Sequence, residues 1–191
     1  MKVQSVFADA RHIWHRQYLQ SLAEYREQYQ PSAPEVMFQL SDNGQPNVFR
    51  LYRADMASGA VDPPNITDVN LAALADTGAQ VIPLPSRLVV HLHPIRWNCV
   101  DFLVDQMLAD SGELQQWCSK WLDIDETGPL DEHGLLGAIH SVTAPEPQEN
   151  GVSFSVDFGS APVDAVNELL SVLRRLGATV VRISSSWAYE T

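Results

Sequence analysis

From residue 152 to 158 the chain alternates without a break. Val152, Phe154, Val156 and Phe158 are apolar, and Ser153, Ser155 and Asp157 between them are polar. Successive side chains of a strand point to opposite faces, so this run fits a strand with one face in a core and the other outside it. Two further segments carry the same signature. In residues 179–185, Val181 and Ile183 oppose Val180, Arg182 and Ser184. In residues 87–97, Leu88, Val90 and Leu92 share one face, while Val89, His91, His93, Ile95 and Trp97 share the other.

One-sided strands need helices to cover their apolar faces. The first expected helix starts at a cap, Asn98, and runs towards Asp123, with Ser111-Gly112 kinking or dividing it. The second starts at Ser160 or Asp164, carries Val166, Leu169, Leu170, Leu173 and Leu176 inward, and stops at Gly177. A further strand over residues 135–142 and a tight Asn150-Gly151 turn complete the order β-α-β-β-α-β. That order predicts an α+β fold with a ferredoxin-like sandwich in residues 86–191.

Residues 1–85 read as a smaller α+β half with the order α-β-β-α-β. Residues 3–29 contain neither Gly nor Pro, and Phe7, Ala10, Trp14, Tyr18, Leu22, Tyr25 and Tyr29 recur at helical steps until Pro31. Strands over 35–40 and 47–53 follow, joined by Ser41-Asp42-Asn43-Gly44. A helix capped by Thr67 and closed by Gly78 then leads to a strand over 80–84. Gly78-Ala79 and Gly177-Ala178 each precede an apolar strand, a local echo between the halves. The two halves are expected to pack as one compact unit.

The formal charge of −12 excludes non-specific nucleic-acid binding, which needs Lys and Arg on phosphates. Cys99 and Cys118, the only cysteines, build no disulfide framework. Asp9, Arg11 and His12 interrupt any secretory core, and no apolar run reaches the length of a bilayer span. A soluble cytoplasmic protein without membrane contact is the expectation.

Chemistry concentrates in two places. His91 and His93 share a strand face, a spacing that suits a divalent metal. Two ligands do not make a site, and a third has to come from Asp157 or His140. Without it they are hydrogen-bonded histidines on a sheet face, and no cofactor is expected. Asp157 and Arg182 fall on the same face by alternation, so His91, His93, Asp157 and Arg182 form the candidate ligand-binding set. Asp123-Ile124-Asp125-Glu126-Thr127-Gly128 opens like a calcium loop, but Gly134 stands where the closing Glu is needed. Cys99, read at a helix start, is the best nucleophile candidate, because a helix N-terminus lowers a thiol's pKa. No catalytic set is assigned.

The second place is acidic. Residues 101–132 hold nine acids against Lys120 alone. Asp101, Asp105, Glu113, Asp123, Asp125 and Glu126 are the candidate partner-binding residues, since opposite charge speeds and selects an encounter. The sequence therefore reads as a non-enzymatic interaction protein with a basic protein partner or a second copy of itself. The alternative is a small metal-dependent or histidine-assisted hydrolytic enzyme on the His91/His93 face.

Overall fold

A computed structural model describes residues 3–40, 47–59, 64–69, 78–106 and 112–185. Helix α1 (Val3–Gln28) forms as its unbroken stripe requires: Val3, Val6, Phe7, Ala10, Trp14, Tyr18, Leu22 and Tyr25 are all buried. Arg26 in its last turn complements the helix dipole. Strands β1 (Ser32–Gln39) and β2 (Leu51–Ser58) pair antiparallel, and β3 (Asn65–Thr67) pairs with the far end of β2. Then come β4 (Gln80–Pro83), β5 (Val89–Leu92), β6 (Val100–Val104) and helix α2 (Gly112–Leu122). The short strands β7 (Ser141–Val142) and β8 (Glu146–Gln148) precede β9 (Gly151–Asp157), helix α3 (Val163–Arg175) and β10 (Val180–Ser184).

All ten strands belong to one mixed sheet in the order β1-β2-β7-β9-β6-β10-β5-β4, with β3 added on β2 and β8 on β9. Strands from the first 85 residues thus lie at both ends of the sheet. The fold is α+β, with α1 against α3, β1 and β2, and α2 against α3.

Alternation decides which strand face meets the helices. Val90, Leu92, Val100, Phe102, Val104, Val156, Val181 and Ile183 are 0% exposed, and they share one core with Trp117, Val166, Leu169 and Leu173 from the helices. Phe102 and Phe154 are cross-strand partners whose rings stack at 5.2 Å. Each such side chain contributes about 1.5–3 kcal/mol on full burial. Two of the tryptophans in this core, Trp97 and Trp117, satisfy their indoles on backbone: Trp97 donates to Gly159 O and Trp117 to Ala165 O.

Several expectations need correction. The strand over 87–97 stops at Leu92, because Pro94 brings no N–H to a ladder, and Arg96 pairs with Cys99 around a turn. Residues 100–104 are strand, not helix. Buried Val100, Phe102 and Val104 with Asp101 and Leu103 between them set a period of two, which overrides the capping signal at Asn98. The helix described after it begins at Gly112. Only Ser141 and Val142 of the strand over 135–142 are strand; Ile139 and His140 take their backbone partners singly, from Trp121 O and Asp157 O.

These changes alter the topology. β6 lies between β9 and β10, whereas the expected opening strand, now β5, pairs with β10 and β4. The ferredoxin-like arrangement opened by residues 87–97 is therefore not the observed one. Thr67 ends β3 instead of capping a helix. The helix expected over residues 70–77 and the turn at 41–44 lie outside the described residues.

Candidate functional site

The sheet face away from the helices carries part of the expected set. Arg182 on β10 is the register partner of His91 on β5 and of Leu103 on β6, and Leu103 is in turn the partner of Ser153 on β9. These four residues therefore form one row across four strands. Arg182 is exposed and His91 half-buried. His93 follows the end of β5, where its N–H donates to Ile183 O. A shallow cavity of about 160 Å³ opens at this row, with His91, Leu103, Asp105, Asn150 and Arg182 around it. Among the described residues, no three His, Cys, Asp or Glu side chains are gathered to hold a metal.

Asp157 does not join that row. Its register partner is Ser141 on β7, its Oδ1 accepts from Gly159 N, and its electrostatic neighbours are His140, Asp55 and Asp68. It belongs to a buried cluster that the sequence largely concealed. The pairs Pro34 with Met56 and Val36 with Ala54 set Glu35 opposite Asp55 across the β1–β2 hairpin. His140 sits between the two carboxylates. Its Nε2 is 3.0 Å from Glu35 Oε1 and its Nδ1 is 2.8 Å from Asp55 Oδ1, the second contact close but not aligned as a hydrogen bond. Glu35 is 2% exposed, His140 2% and Asp55 4%.

Every side of the cluster is fixed. Glu35 Oε2 accepts from Leu136 N, and Asp55 Oδ2 from Val69 N. Tyr18 donates to Asp55 O, and the Trp14 and Tyr18 rings meet the imidazole edge-on. A Cβ at Gly159 would lie 2.0 Å from His140 Cδ2, so the ring's seat exists only because that residue is glycine. Beside the cluster, Arg53 is 1% exposed and donates to the carbonyls of Glu35, Leu122 and Asp123 and to Glu126.

Charge distribution follows from this packing. Burial alone would lower the His140 pKa, but Asp55, Glu35 and Asp157 push it well above the usual histidine range. Burial alone would raise the Glu35 carboxyl, yet His140, Ser160 and the Leu136 amide hold it below its usual value. Burial, with Asp55 and Asp68, pushes Asp157 up to about 7 against the pull of His140. The result is an imidazolium clamped by carboxylates. With both ring nitrogens facing acids inside the protein, His140 has no nitrogen turned to a substrate.

Cys99 loses its nucleophile reading for a similar reason. It precedes a strand, and burial together with Asp101 and Asp157 pushes its thiol up to about 11.

The six expected partner-binding acids fall in three places. Asp101 on the open sheet face accepts from Ser155 Oγ, and Asp105 just beyond β6 accepts from Thr179 N and Oγ1. Glu113 on α2 pairs with Arg175 at 2.7 Å. Asp123, Asp125 and Glu126 lie together in the loop after α2. That loop is held by its own acids: Asp123 accepts from Thr127 N and Gly128 N, and Asp131 from His133 N and Leu135 N. Asp125, Glu126, Asp131 and Glu132 are exposed, and so are Leu130 (63%) and Ile124 (37%).

Comparison with known protein families, curated proteins and solved structures gives no significant match. No helix among the described residues is long and apolar enough to cross a membrane.

Of the residues in the buried cluster, the sequence pointed to Asp157 and His140, as the two possible third ligands beside His91 and His93. Arg53 and Asp55 had left a trace as two charges in Leu51–Ser58, where Ala54, Met56 and Ala57 are the neighbours. Glu35 had left none, since one acid after Pro34 is ordinary surface composition.

Proposed function

We propose that this is a non-catalytic interaction protein that docks a basic protein partner through the loop over residues 123–132. The observation that carries the reading is the pairing of exposed acids with exposed apolar side chains on a loop whose backbone is already fixed. Asp125 and Glu126 follow Ile124 in the chain, Asp131 and Glu132 follow Leu130, and all six are exposed. Acids steer the approach of a cationic surface, and apolar anchors supply burial once it arrives. A fixed loop also loses little entropy on binding. A second copy of the chain fits this loop less well, because it brings the same net charge of −12.

As the scaffold we read β6, α2, β7, β9, α3 and β10 as a ferredoxin-like unit opened by β6, with residues 1–85 as a smaller part packed around it. The two free thiols, Cys99 and Cys118, fit a reducing cytoplasmic setting.

The test is native mass spectrometry of the protein purified gently from its own cells. It is repeated with a triple charge variant (Asp125→Asn, Glu126→Gln, Glu132→Gln), with Leu130→Ser and with His91→Ala. A basic partner that both loop variants release, and that His91→Ala retains, supports the reading. A partner indifferent to the loop variants, or lost with His91→Ala, overturns it.

A further inference from the structure

The row His91–Arg182–Leu103 ends at a feature the loop does not use. We infer that the cavity beside Arg182 is a binding site for a single oxyanion group, a phosphate or carboxylate, held by the Arg182 guanidinium and the His91 imidazole.

Three observations carry this. First, Arg182 and His91 are register partners on parallel strands with side chains on the same face, which places their Cα atoms about 5 Å apart. An imidazole donates an N–H in either protonation state, so the pair offers a guanidinium fork beside a ring donor. Second, Arg182 makes no ion pair among the described residues, whereas Arg53, Arg175 and Lys120 each do. Arg53 binds three carbonyls and Glu126, Arg175 binds Glu113, and Lys120 binds Glu168. Among the described residues, Arg182 is thus an exposed guanidinium without an acid partner, beside a cavity, in a chain of net charge −12.

Third, the rim is fixed in advance. A Cβ at Gly151 would lie 1.8 Å from Val104 O, so the turn before β9 sits directly on the end of β6, and Asn150 of that turn lines the cavity. The one acid in the lining, Asp105, has its carboxylate turned to Thr179 N and Oγ1 and is held below its usual pKa by these contacts, after the opposing effect of burial.

The size sets the ligand class. About 160 Å³ holds one anionic group, not a whole cofactor, since small-molecule pockets run to about 300–1,000 Å³. Leu103 (37% exposed) and Val81 (64% exposed), the latter opposite His91 on β4, give an attached organic portion an apolar surface beside the anion.

The experiment is a titration of the full chain followed by backbone amide NMR, with inorganic phosphate and with acetate as separate probes. Sodium chloride at matched ionic strength is the control. Saturable shifts of the amides of residues 91, 103–105, 150 and 180–182 are expected. Arg182→Gln should weaken binding at least tenfold and His91→Ala severalfold, while Arg175→Gln on α3 leaves it unchanged. Saturation by phosphate alone or by acetate alone assigns the group, and either supports the site. No saturation by either probe, equal shifts with chloride, or undiminished binding in Arg182→Gln overturns it. Amide spectra of each variant without ligand confirm that it is folded.

Discussion

Glu35 and His140 are 105 residues apart in the chain, yet Glu35 Oε1 lies 3.0 Å from His140 Nε2 with both side chains buried. This contact joins the β1–β2 hairpin to the segment that leads into β7. The backbone follows the same path, since Arg53 N donates to His140 O and His140 N to Asp157 O. The cluster is a clasp between parts of the sheet.

Removing one member should therefore cost far more than a surface pair. Glu35→Gln leaves the imidazolium without one of the two carboxylates in direct contact with it, and a loss of about 3 kcal/mol is expected. Urea denaturation measures it. A loss below about 1 kcal/mol, the scale of an exposed ion pair, would mean that the pair is not formed in solution.

The same cluster sets a pH dependence. Asp157 is raised on folding, so its stabilising share is whole below the ordinary value of about 3.9 and is gone once pH passes about 7. His140 is also raised, so its share is whole below about 6.5 and is lost as pH climbs through its folded value. Glu35 is lowered and acts in the opposite sense, with a share present above about 4.3 and lost as pH falls through its folded value. Urea midpoints from pH 4 to 9 should fall on the alkaline side. Asp157→Asn should flatten the curve between pH 4 and 7, where one proton accounts for at most about 1.4 kcal/mol per pH unit. An unchanged slope in that variant would remove Asp157 as the cause.

Arg53 and Glu126 form one ion pair with unequal partners. The Arg53 side chain is fully buried, while that of Glu126 is 58% exposed. Glu126→Gln should change stability by less than about 1 kcal/mol. Arg53→Met strips the buried carbonyls of Glu35 and Leu122 and the part-buried carbonyl of Asp123 of their donor and should cost about 3 kcal/mol or more. Equal effects in thermal unfolding would place the stabilisation in the ion pair itself.

Neither cysteine should react readily. Burial pushes the thiols of Cys99 and Cys118 up to about 11 and about 12, and the thiolate is the reactive form. At pH 7.5 the folded protein should label with iodoacetamide far more slowly than the urea-unfolded chain. Fast labelling of Cys99 when folded would restore the nucleophile reading.

Local pattern by itself determined the elements whose side chains answer to one neighbour, water or core. The stripe from Phe7 to Tyr25 gives α1, the alternation of Val152 to Phe158 gives β9, and Val181 with Ile183 gives β10. Alternation also placed His91 and Arg182 on one face, because a period of two needs no knowledge of the partner strand. It could not say which strand lies beside which. The apolar run through Trp97 read as continuous until Pro94 and the turn at Arg96 and Cys99 divided it into β5 and β6. Only tertiary structure gathered Glu35, Asp55, His140 and Asp157. They come from four separate segments, and the three acids are tolerable side by side only because His140 stands among them and the amides of Leu136, Val69 and Gly159 donate to Glu35, Asp55 and Asp157.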